Sequence, residues 1–125
     1  MPEFVIDEQK QLVRATHLQD GLLTVDDVQR FNTNFDQLIA VAAKRFPRLL
    51  LLIDASKMSV QLPEVMEHFT RPERMLRGPD DRFALVVGSN LAKLQARRVL
   101  GDDSRLGAFL TSEEAENWLL ATPPA

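Results

Sequence analysis

"LLLLIDAS", Leu49 to Ser56, sets five aliphatic residues in a row before an acid, a small residue and a hydroxyl. No polar residue alternates with the apolar ones between Leu49 and Ile53. A strand that is apolar on both faces belongs inside a parallel or mixed sheet, covered above and below. The fold must therefore supply neighbouring strands and covering helices from the sequence on either side.

Upstream, Thr24 to Phe46 reads as a helix. Thr24 is placed to cap it, and Asp26 and Asp27 fall in the first turn, where the helix dipole favours acids. Val28, Phe31, Phe35, Leu38, Ala42 and Phe46 recur at three- and four-residue steps and share one face. Lys44 and Arg45 occupy the last turn, and Pro47 stops the helix. Earlier still, Phe4 to Glu8 and Leu12 to Leu18 flank the polar stretch Asp7 to Gln11, the layout of an antiparallel hairpin, and Asp20-Gly21 then breaks the chain.

Downstream, a helical segment starts near Pro63, which suits a first helical turn, and Pro72 breaks or kinks it. Arg77-Gly78-Pro79-Asp80 reads as a turn and Phe83 to Val87 as a second buried strand. Ser89 or Asn90 caps the next helix, Gly101 ends it, and Leu106 to Leu110 is a third strand. Thr111-Ser112-Glu113-Glu114 is a capping box opening a last helix, whose buried face holds Ala115, Trp118 and Leu119. The expected fold is α/β: a mixed sheet with an N-terminal antiparallel hairpin followed by three strand-helix units, in a single domain over residues 1–125. The crossovers are expected to be right-handed.

Composition narrows the chemistry. The chain has 125 residues, 45% of them hydrophobic, enough for one core. It has no cysteine, which removes disulfides, iron–sulfur clusters, thiolate zinc and cysteine nucleophiles. The apolar runs fall well short of the ~20 residues a membrane span needs, and Met-Pro-Glu-Phe lacks the layout of a signal peptide, so no membrane association and a cytoplasmic location are expected. A net charge of −3 without a basic block gives nucleic-acid binding no support.

The order of "LLLLIDAS", "RFALVVGSNLAKLQARR" and "FLTSEEAENWL" resembles the STAS domain, more closely the small SpoIIAA-like (STAS/SEC14-like) proteins, over nearly the whole chain. The resemblance implies the same α/β fold and a non-enzymatic regulatory or protein-interaction module, with a protein partner still to be identified. Anti-sigma-factor antagonists of that family carry a strand ending in Asp-x-Ser, then Asp-Ser-Ser-Gly, where a serine is phosphorylated. Asp54-Ala55-Ser56 matches the first element, but Leu62-Pro63-Glu64-Val65 stands in place of the second. The resemblance therefore implies the fold without that phosphoswitch.

Ligands of open α/β sheets bind beyond the carboxyl ends of the strands. Asp54, Ser56 and Lys57 lie there, as do Gly88, Ser89 and Asn90, so a small-ligand sensor for an anion or lipid-like molecule is the alternative function. Beside it stands a local reading, in which Asp54 and Ser56 satisfy loop amides. Ser56, His68 and Asp54 make a poor hydrolase triad: there is no Gly-x-Ser-x-Gly elbow, and the acid adjoins the serine rather than the histidine. No catalytic residue is assigned. His17 and His68 fall on separate elements, so no metal is expected; with no P-loop, no cofactor is expected either. Lys93, Arg97 and Arg98 form a candidate anion patch on a helix, with a solvated helix face as the alternative, and Arg71, Arg74 and Arg77 form a second basic group. Finally, three crossover helices on one side of the sheet would leave its other face bare. A homodimer burying Phe4 and Ile6 or their strand neighbours is the expected cover.

Overall fold

The computed structural model describes residues 2–17, 22–58 and 63–121. The Asp20-Gly21 break, Ser59 and Leu62 lie outside the described residues, as does the side chain of His17. Five strands form one sheet in chain order: β1 (Pro2–Asp7), β2 (Leu12–His17), β3 (Leu50–Asp54), β4 (Arg82–Val86) and β5 (Leu106–Phe109). β1 and β2 are antiparallel, and every later pair is parallel. The helices are α1 (Val25–Arg45), α2 (Pro63–Met66), α3 (Asn90–Leu100) and α4 (Ser112–Leu120), with a 3-10 turn at Pro72–Arg74. The α/β class, the hairpin and the alternation match the sequence reading, with element ends moved by a residue or so, as is usual.

Local chemistry fixes the ends. Thr24 closes a full capping box on α1: its hydroxyl accepts from the Asp27 amide at 3.1 Å, and the Asp27 carboxylate accepts from the Thr24 amide at 2.8 Å. At α4 the Thr111 hydroxyl accepts from the Glu114 amide at 3.2 Å, so the expected box forms its Thr111 half. Gly101 ends α3 with φ 72°, a conformation that needs the absence of a Cβ. α2 corrects the sequence reading. It is a single turn that stops at Met66, well before Pro72, which instead opens the 3-10 turn. Asn32 of α1 takes over the backbone groups in between, donating to the His68 carbonyl at 2.7 Å and accepting from the Thr70 amide at 3.3 Å.

The continuous apolar run of β3 now has its explanation. Leu51 and Ile53 join Val13, Ala15 and Phe83 beneath Phe31, Phe35 and Ala42 of α1. Leu50 and Leu52, on the opposite face, join Leu12, Ala84 and Val86 beneath Ala115 and Leu119 of α4. The chain therefore covers both faces of its own sheet, which removes the argument that the second face needs another subunit. Phe4 and Ile6 turn toward α1 and pack against its core cluster, with the Phe4 ring 5.3 Å from that of Phe31. Val5 is an apolar hairpin residue left in water, half exposed.

Among the described residues one charged side chain is buried, Asp81, at 4% exposure. One carboxylate oxygen accepts from the Leu49 amide at 2.7 Å and the other from the Arg77 amide at 2.7 Å. Asp81 thus ties the start of β3 to the turn before β4.

Candidate functional site

The carboxyl ends of β3 and β4 bring Asp54, Ser56 and Gly88 together. Asp54 points to the α4 side of the sheet, in register with Thr16 of β2. One carboxylate oxygen accepts from the Ser56 amide at 3.0 Å and the Ser56 hydroxyl at 2.6 Å. The other accepts from the Ser112 hydroxyl at 3.0 Å, at the first turn of α4. Burial pushes the Asp54 pKa up, but the two Ser56 bonds, the Ser112 bond and the nearby Arg14 guanidinium outweigh it, and the net shift is downward. Arg14 is itself held by Glu116 of α4, which also accepts from Lys10 at 3.0 Å. A polar seam thus runs from β2 to α4, with Ser112 and Glu116 one turn apart on the helix.

The crevice above this seam is closed by backbone. A Cβ on Gly88 would lie 2.5 Å from the Ser56 carbonyl oxygen, so the turn after β4 sits directly against the loop after β3. The Ala55 amide also donates to the Val86 carbonyl at 2.8 Å. Of the other strand-end candidates, Ser89 caps α3 by accepting from the Ala92 amide at 3.1 Å, while Lys57 and Asn90 are exposed. The structure joins Asp54 to Ser56 and, among the described residues, leaves Lys57, Ser89 and Asn90 outside their hydrogen-bond network. Ser112, Arg14 and Glu116 complete the seam, and nothing local links them to Asp54: Ser112, read from the sequence only as part of a helix cap, is 58 residues away.

His68 is exposed, its carbonyl held by Asn32, and its imidazole makes no hydrogen bond to Ser56 among the described residues. Among those residues no three His, Asp or Glu side chains gather as a metal site would require. None of the helices they form is long and apolar enough to cross a membrane. An open depression of about 200 Å³, lined in part by Lys10, Arg48 and Asp80, lies at the other end of β3, by Leu50. Another of about 330 Å³ lies along Asp26, Arg30 and Asn34 on the outside of α1. Neither reaches Asp54.

The basic groups behave differently from one another. Arg71 pairs with Glu73 at 3.1 Å and Arg77 with Asp81 at 3.4 Å, so two of the three arginines near Pro72 are paired locally. On α3, Lys93, Arg97 and Arg98 form no ion pair among the described residues. Their helix is also unusual in its packing. Ala92, Ala96 and Leu100, at four-residue steps, form its half-buried inner side. Leu91, Leu94 and Arg98, at three- and four-residue steps, form the outer side, with Leu91 67% and Leu94 58% exposed. Val99, seven residues after Ala92 and so on a different flank, is 77% exposed. Two alanines face the sheet, with Lys93 and Leu100 half-buried beside them, while Leu91 and Leu94 face water. Each of these partly exposed leucines forgoes roughly 1–2 kcal/mol relative to full burial. Arg97 and Arg98 favour the carbonyl end of the helix dipole, which accounts for the charge but not for the leucines.

No family model, curated protein or solved structure matches the chain.

Proposed function

We propose that the chain is a non-enzymatic regulatory module of STAS-like type that works by binding another protein through an exposed surface, without a phosphorylated serine. The single observation that carries the reading is α3, which turns Leu91 and Leu94 outward and Ala92 and Ala96 inward. Clustered exposed apolar side chains mark interaction sites more often than they serve the fold. The strand-end cluster supports the same reading from the other side. Asp54 is engaged by Ser56 and Ser112, and Gly88 abuts the Ser56 carbonyl, so a small molecule would have to displace existing bonds to enter. At Ser56 the hydroxyl is held by Asp54, and an added phosphate would face that carboxylate.

Thermal unfolding in the presence of ATP, inorganic phosphate, citrate and oleate tests the reading. A ligand at 100 times its Kd would add about 2.7 kcal/mol and raise the Tm visibly. The expected result is an unchanged Tm with all four. A rise with any of them, accompanied by changed amide signals at Asp54 and Ser56, would transfer the function to a small-ligand sensor.

A further inference from the structure

We infer that the outer face of α3 docks an acidic amphipathic segment of a partner protein; this deepens the interaction reading and rests on it. Leu91, Leu94 and Arg98 follow one another at three- and four-residue steps, so the guanidinium stands in line with the two leucines. Arg97 is exposed beside Leu94, and Lys93, one turn earlier, is half-buried toward the inner side. α3 carries three cations and no acid, in a chain whose net charge is −3. The patch is therefore a local reversal of the protein's overall sign.

Three kinds of occupant could cover exposed leucines. A second copy packed by a two-fold axis would set α3 against α3 and bring like charges together. An anionic bilayer favours a helix whose apolar and cationic faces are separate, so that one sinks while the other stays at the headgroups. Here Arg98 is interleaved with the leucines, and inserting them would drag the guanidinium below the headgroups. A protein segment meets the pattern without that conflict. Its apolar side chains lie on Leu91 and Leu94, and its carboxylates meet Arg97 and Arg98, as one amphipathic helix lies on another. The charges then set register and orientation, and the leucines supply buried area.

The test is a titration of isotope-labelled protein, followed by amide NMR signals, with three probes. These are a synthetic amphipathic helix of leucine and glutamate, the same helix with lysine for glutamate, and vesicles containing anionic phospholipid. The expected result is that the glutamate peptide shifts residues 90–100, while the lysine peptide and the vesicles leave them unchanged. Leu94→Glu and Arg98→Glu should each weaken the glutamate peptide by at least about tenfold, the size expected when one central contact is reversed. Arg98→Glu should also gain binding to the lysine peptide. Both substitutions lie on an exposed face, and an unchanged far-UV spectrum would confirm that the variants fold. Binding of the vesicles, self-association through α3, or a glutamate peptide that leaves residues 90–100 unmoved would each overturn the assignment. Those results leave the wider interaction reading standing. That reading falls separately, if photo-cross-linkers on the exposed positions of every helix and of the hairpin yield no protein adduct in the native cell.

Discussion

Replacing Asp54 separates a structural clamp from a binding site. In Asp54→Ala, three hydrogen bonds disappear: those from the Ser56 amide, the Ser56 hydroxyl and the Ser112 hydroxyl. A bond to a charged group contributes about 1.5–3 kcal/mol when buried and less when partly wet. Asp54 is half-buried and both serine hydroxyls can turn to water, so the three together should amount to about 2–4 kcal/mol. At this chain length that lowers the Tm by roughly 10 °C. Asp54→Asn has a different outcome. Its carbonyl can keep both Ser56 bonds, and its amide can donate to a rotated Ser112 hydroxyl. The loss should be no more than about 1 kcal/mol. Urea unfolding of the two variants beside the parent protein supplies the comparison. If alanine and asparagine are equally mild, the cluster holds nothing in place. If asparagine is as damaging as alanine, the negative charge matters in itself, and the clamp reasoning fails.

Phe35→Ala removes a fully buried ring stacked 5.5 Å from Phe31 and should lower unfolding stability by about 3–5 kcal/mol in urea; a loss under about 1 kcal/mol would contradict the packing of α1 on the sheet. Asp81→Asn should cost more than half of what Asp81→Ala costs, because an amide can accept only one of the Leu49 and Arg77 backbone bonds and turns a donor toward the other. Equal stability of Asp81→Asn and the parent protein would refute that. Stability should also fall in acid. Asp54 and Asp81 are pushed up by burial but pulled down further by their hydrogen bonds, Asp27 is lowered by the Thr24 amide, and Asp103 by the Arg105 side chain. With all four folded-state pKa values below the ordinary 3.8, the unfolded chain takes up more protons as the pH drops. The stabilisation is thus complete above that value and lost as the pH falls through the lower folded values. A urea midpoint that stays flat from neutral pH down to 3 would contradict this assignment.

Much of the fold was legible because it is written in short-range patterns. The unbroken Leu49–Ile53 run marked the central strand, and helical spacing with Thr24 and Pro47 marked α1. The failures came where a distant partner decides. α2 stops early because Asn32, 36 residues before His68, captures the backbone there. Asp81 has nothing local to mark it, because only the folded chain brings the Leu49 amide to it. The cover of the second sheet face was misjudged because nothing local tells α4 to cross to the side opposite α1. At the candidate site, Asp54 and Ser56 were visible as a strand-end pair, while Ser112 was visible only as part of a helix cap. Lys93, Arg97 and Arg98 could be read as a patch. That Leu91 and Leu94 share its outer face became apparent once Ala92, Ala96 and Leu100 were seen to take the sheet side.

The division of labour between a structural strand-end clamp and a recognition surface on α3 is tested most directly by cross-linking in the native cell. A photoactivatable residue is placed at position 94 in one variant and at position 57, on the exposed loop after β3, in another. The account predicts a discrete protein adduct from position 94, lost when Arg98→Glu is added, and none from position 57. An adduct from position 57 with none from position 94 would place recognition at the strand ends and contradict the account.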